Sequence, residues 1–99
     1  MERVALDPYV LDVLMPDLVG HDHRPSAFIL FLLLWRKTSG ASRSVFASYR
    51  VLSEGTGLSM RAVQEAVKLL ERRQLVEVAR KSPTAVPSFT LRCPWRARA

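Results

Sequence analysis

Residues 48–73, SYRVLSEGTGLSMRAVQEAVKLLERR, constrain the fold more than any other stretch, because they demand two helices meeting at one sharp corner. Tyr49 and Leu52 fall three apart, the spacing of a buried helical stripe. Gly55-Thr56-Gly57-Leu58-Ser59 supplies the corner. Gly57 is able to take positive φ without the roughly 1–2 kcal/mol that a Cβ costs in a left-handed conformation. Leu58 is expected to point back into the core, and Ser59 to N-cap the second helix by accepting from a free backbone N–H. In that second helix, which the pattern runs from Met60 to Arg73, Val63, Ala66, Val67 and Leu70 recur at i, i+3, i+4 and i+7. One face is therefore apolar, and Arg61, Gln64, Glu65, Lys68 and Arg72 face outward.

The order of Leu52, the small Ser53, Gly57, Leu58, Val63 and Ala66 resembles a helix-turn-helix. The continuation LSMRAVQEAVKLLERRQLVEV resembles the winged helix-turn-helix regulators of bacteria and phages. In those proteins a helix opening like LS-x-R-x-V leads to LE-x-x-G-L-I-x and a hairpin. Gln74 stands where that family usually has glycine at the helix C-cap, so the helix end is expected to close differently here. The resemblance implies a mainly α fold with a small β-hairpin wing: a three-helix core plus a two- or three-stranded antiparallel sheet.

The residues downstream agree with a wing. LVEVAR at 75–80 and SFTLRC at 88–93 each alternate apolar and polar, the period of half-buried strands. Between them Lys81-Ser82-Pro83-Thr84-Ala85-Val86-Pro87 is a turn stiffened by two prolines. Val45-Phe46-Ala47 is short and β-prone, where winged helices pair a small first strand with the wing. The tail after Cys93 is short and basic, with Trp95 placed to cap the core edge.

Residues 25–99 form the winged domain in this reading, preceded by an arm at 1–24 that packs on the domain or on a dimer partner. Asp7-Pro8 is able to open a helix, but the run YVLDVL at 9–14 is β-branched and aromatic and Pro16 follows at once. It reads as an extended or irregular segment packing Tyr9, Leu11 and Val13, followed by a single helical turn over residues 16–19. His21-Asp22-His23 offers at most three metal ligands with no fourth in view, and reads as a solvated polar loop rather than a metal site. Pro25 and Ser26 then open a helix whose core, AFILFLLLW at 27–35, is apolar all round and must be buried on more than one side. Nine apolar residues fall far short of the ~20 needed to cross a bilayer, so no membrane span is expected. The second buried face of this helix meets either the N-terminal segment or a second copy of the chain, which makes a homodimer the expected assembly. Arg36 and Lys37 suit its negative end, Thr38-Ser39-Gly40 ends it, and a polar loop at 41–44 follows.

Charge decides between possible partners. The chain is 48% hydrophobic and 24% charged with a formal net charge of +6, ordinary for a globular domain except in its distribution. Residues 1–24 carry five acids against two arginines, a net of −3, whereas residues 25–99 carry thirteen Lys and Arg against four glutamates, a net of +9. Such a skew attracts polyanions. One cysteine, Cys93, allows no internal disulfide and fits a reducing cytoplasm. No nucleophile elbow, phosphate loop, metal cluster or carboxylate pair is present, so neither an enzyme nor a cofactor is expected.

The expected partner is double-stranded DNA, with the helix at 60–73 in the major groove, its N-terminal end nearest the bases, and the wing at 79–88 on the backbone or in the minor groove. Ser59 suits a phosphate oxygen, Arg61 a guanine and Gln64 an adenine. Met60 lies on the same face, as does Glu65, which either pairs with Arg61 or accepts from cytosine. Arg50, Lys68, Arg80 and Lys81 suit phosphates. The expected role is a small transcription regulator. Replication-initiation or phage and plasmid accessory domains, and winged helices that bind proteins instead of DNA, remain open alternatives.

Overall fold

Helix α1 (Pro25–Thr38) is the element on which the others pack. The structure, a computed structural model, describes residues 2–40 and 43–96. Met1 of the expected arm, residues 41–42 of the expected polar loop and residues 97–99 of the basic tail lie outside them. Pro25 sits in the first turn of α1, where a missing N–H costs nothing, and Arg36 and Lys37 occupy its last turn. Leu30, Phe31, Leu34 and Trp35 are fully buried along it, and Thr38 closes its buried end by donating to the Leu34 carbonyl at 2.7 Å.

Strand β1 (Val45–Phe46) follows, then α2 (Tyr49–Thr56), α3 (Met60–Arg72), β2 (Val76–Ala79) and β3 (Ser88–Leu91). The three strands form one antiparallel sheet in the order β1-β3-β2. Val45 pairs with Phe89 and Phe46 with Ser88, while β2 pairs Val76 with Leu91 and Ala79 with Ser88. Val76, Phe89 and Leu91 consequently face the helices and are buried. Glu77, Ala79, Ser88, Thr90 and Phe46 share the opposite face by the two-residue period. Three core helices with a wing hairpin define a winged helix-turn-helix fold.

Both helices of the corner begin as local rules require. Ser48 Oγ accepts from the Val51 N–H at 3.1 Å, and Ser59 Oγ accepts from the Ala62 N–H at 3.0 Å. Helix α2 runs through Thr56, so Gly55 lies inside it and the corner itself is Gly57-Leu58. A Cβ at Gly55 would come within 3.0 Å of a Leu33 methyl, which explains the glycine by the close approach of α2 to α1. Gly57 takes φ +82°, and Ser53 and Thr56 hold the turn through Leu58: Ser53 Oγ donates to its carbonyl at 2.5 Å, and its N–H donates to Thr56 Oγ1 at 3.1 Å.

The end of α3 departs from sequence expectation in a definite way. Gln74 itself adopts φ +59°, the left-handed conformation that glycine would supply. Its N–H donates to the Glu71 carbonyl and the Leu75 N–H to the Leu70 carbonyl, both at 2.9 Å, while Leu70 and Leu75 are both buried. This is a Schellman closure with its apolar contact, reached by a residue that carries the Cβ penalty.

Residues 9–14 are helical rather than extended, and the single turn expected at 16–19 is part of a longer segment. Two consecutive π-helical stretches span Val10–Leu14 and Pro16–His21. Their i→i+5 bonding, such as Met15 N–H to the Val10 carbonyl, winds the chain around Pro16, which has no N–H to satisfy. The winding buries Val10, Leu14 and Leu18 in the same core as α1 and turns Leu11 and Val13 to the surface. Tyr9 is also at the surface, its ring stacked on Trp95 with centroids 4.5 Å apart. Burial at four-residue spacing overrode the β preference of the individual residues.

Nor is Asp22 part of a solvated loop. The Arg73 guanidinium donates to both Asp17 and Asp22, tying the N-terminal segment to the C-terminal end of α3. His21 Nδ1 lies 3.0 Å from Asp22 Oδ1, and this contact together with Arg73 holds the Asp22 carboxyl below the usual carboxylate range. Asp17, His21 and Asp22, rather than His23, come together, and Arg73 already engages both carboxylates. At the far end of the chain, Asp7 accepts from Trp95 Nε1 at 2.8 Å and from Arg96 at 2.6 Å and 2.8 Å. Trp95 stacks over Trp35 with ring centroids 6.5 Å apart, so it does cap the core edge. Trp35 Nε1 in turn donates to the Ala5 carbonyl at 2.8 Å. Among the described residues no helix is long and apolar enough to cross a membrane.

Candidate nucleic-acid interface

Helix α3 divides sharply into two faces. Val63, Ala66, Val67, Leu69 and Leu70 are buried, whereas Met60, Arg61, Gln64, Glu65, Lys68 and Arg72 are exposed. The exposed face is polar apart from Met60, and it begins at the capped end of the helix. There the N–H groups of the first turn and the positive end of the helix dipole are presented together. Ser59 Oγ spends one lone pair on Ala62, so what this residue still offers an anion is its hydroxyl proton and its backbone N–H.

Arg61 and Glu65 form the expected i,i+4 pair. Arg61 Nε donates to Glu65 Oε2 at 3.3 Å, and both side chains are well exposed. In open solvent such a pair adds at most a few tenths of a kcal/mol to stability. Its geometric effect matters more: engaging Nε leaves the two terminal amino groups of the guanidinium free, and those are the groups that would reach a guanine edge. Gln64 lies one residue before Glu65 on the same exposed face, and Lys68 a turn further on.

The wing turn joins the helix-turn-helix at the start of α2. The Ala47 N–H donates to the Pro87 carbonyl at 3.1 Å, and the Arg80 guanidinium lies over the Tyr49 ring, 5.9 Å from its centroid. Arg80 Nη1 is also 3.4 Å from the Pro83 carbonyl. Arg80 is therefore drawn back along the wing base, while Lys81 is exposed in the turn. Tyr49 packs on Phe89 as well, and burial pushes its phenol pKa up. Arg50 is exposed on α2, beside Tyr49.

The outward face of α3 thus follows from the helical period of the sequence. Sequence reasoning overlooked the Ser48 cap, whose signal is a serine directly before a helical run, and the Arg80–Tyr49 stack, which joins residues 31 apart in sequence and leaves no local trace.

The chain matches the helix-turn-helix domain family over residues 24–76, more than half its length, and belongs to that family. No curated protein and no solved structure gives a significant match. The matched region takes in α1, α2 and α3 and ends as β2 begins, so the family covers the helical core and the structure adds the wing. Membership of a helix-turn-helix family points to DNA binding.

Proposed function

We propose that this protein binds double-stranded DNA in a sequence-specific manner and acts as a small transcription regulator in the cytoplasm. In this reading α3 lies in the major groove and the wing turn on the adjacent backbone or minor groove. The observation that carries the proposal is the outward face of α3: Arg61, Gln64, Glu65 and Lys68 in one exposed row, on a helix whose other face is buried and whose N-terminus is capped. Arg61 and Gln64 are the base readers, and Ser59, Lys68, Arg50, Arg80 and Lys81 serve phosphates.

A homodimer suits this function, because two recognition helices read two half-sites. The N-terminal segment supports it. Leu11, Met15 and Val19 are exposed at four-residue spacing, and Ile29 of α1 is exposed as well. Val10, Leu14 and Leu18 are buried in one core with Leu30, Phe31 and Leu34 of α1, and most of the exposed apolar side chains in this half of the chain belong to the N-terminal segment.

Fluorescence anisotropy on duplexes selected from a random pool tests the reading. Arg61→Ala is expected to weaken binding and relax sequence preference at one position, each bidentate contact being worth about 1–3 kcal/mol. Lys81→Ala is expected to weaken binding evenly across sequences and to lower the salt slope by about one unit. Unchanged affinity and slope in both variants, or no duplex binding by the wild type at low salt, would sink it.

A further inference from the structure

Among the described residues after α1, four large apolar side chains are exposed: Phe46, Val51, Met60 and Val86. Phe46 is the most exposed of all described large hydrophobics, at 71%, and Val86 is half exposed, at 50%. Both lie near the junction of β1 with the start of β3. Phe46 pairs with Ser88 and the Ala47 N–H donates to the Pro87 carbonyl, so Val86 directly precedes the point where the wing turn joins β1. The Ser44–Thr90 hydroxyl contact of 2.5 Å, one step back along the same face, pins β1 against β3.

The surroundings say what this apolar pair meets. No acidic residue occurs from 23 to 53 or after Glu77, so both β1 and the wing turn are free of carboxylates. The exposed charged residues nearest in sequence are Arg43 and Arg50 around Phe46, and Arg80, Lys81 and Arg92 around Val86. Glu77, which shares this sheet face, is paired with Arg92 at 3.2 Å, so the balance of charge around β1 and the wing turn is positive, as a polyanionic duplex favours. Minor-groove proteins combine cations on the phosphates with an apolar wedge that enters between base steps. We infer that Phe46, with Val86 near the same junction, is a wedge that enters the DNA minor groove beside the wing. This inference rests on the DNA-binding reading above and adds a contact made by β1 rather than by α3.

The test uses the full chain and a fluorescein-labelled, mixed-sequence duplex of about two helical turns. Phe46→Thr keeps strand propensity and removes the ring. It is expected to weaken binding about tenfold. Its salt slope is expected to match the wild type, because an apolar contact releases no counterion. Phe46→Leu retains a wedge and is expected to bind within about twofold of the wild type. Val86→Thr is expected to lose less than Phe46→Thr, and all three variants to keep the wild-type Tm. End-labelled energy transfer should show a bend that Phe46→Thr reduces. Equal binding and bending by Phe46→Thr and wild type would overturn the inference and leave the DNA-binding proposal standing. So would a fall in Tm that accompanies the affinity loss, since that assigns Phe46 to sheet packing. Failure of the wild type to bind any duplex at low salt instead strikes the underlying proposal.

Discussion

The two ends of α3 are built by different means. At its N-terminus everything is local: Gly57 turns the chain, Ser53 and Thr56 hold Leu58, and Ser59 caps the helix within three residues of its partner. At its C-terminus the helix is closed by Gln74 in a conformation its side chain disfavours, and is tied by Arg73 to aspartates more than fifty residues away. The N-terminal segment belongs to this second kind, since its helical winding follows from burying Val10, Leu14 and Leu18 in the common core and not from any helix preference of YVLDVL. Local rules set the end proposed to read DNA. Long-range contacts set the end that supports it.

The comparison breaks most visibly at Leu18, which is completely buried in the shared core. Leu18→Ala is expected to cost about 3 kcal/mol in the chemical unfolding of the whole domain, with an unchanged m value. If the mutation loosened only the N-terminal segment while the helix-turn-helix unfolded at its usual midpoint, the two regions would be separate cooperative units. Arg73→Ala leaves two half-buried carboxylates close together without their cation, and is expected to cost about 2 kcal/mol. Adding Asp17→Asn to Arg73→Ala should recover part of that loss; a double mutant no more stable than the single one would deny the clamp its role.

The smallest expected effect has the opposite sign. Gln74→Gly removes a Cβ from a left-handed residue while keeping the Schellman bonds, and is expected to stabilise by about 1 kcal/mol. A thermal melt in which Gln74→Gly unfolds below the wild type would mean that the glutamine side chain contributes more than its backbone costs.

Most of the candidate interface was legible in the chain itself. Val63, Ala66, Val67 and Leu70 declare the buried stripe, and the outward residues Arg61, Gln64, Glu65 and Lys68 follow from the helical period alone. The Arg61–Glu65 pair follows from four-residue spacing, and β2 and β3 from alternation over a proline-bounded turn. Where reading failed, a long-range contact had outvoted a local preference. Tyr9, Leu11 and Val13 alternate like a strand, yet Val10, Leu14 and Leu18 gain more by burial in the core than the segment loses by helical winding. Asp22 looks like a solvated loop residue until Arg73 reaches it. Arg80 looks like a free cation until Tyr49 lies beneath it.

The sequence by itself determined the corner, the caps, the two-faced helix α3, the wing and the basic skew that suits DNA. Each is decided within a few residues by φ, by a hydroxyl in reach of a free N–H, or by side-chain period. Only the tertiary structure decided the helical N-terminus, the Arg73 clamp and the place of Phe46 on the outer face of the sheet. Those depend on which distant surfaces meet, and burial of apolar area against α1 and the sheet supplies enough free energy to override what the local residues prefer.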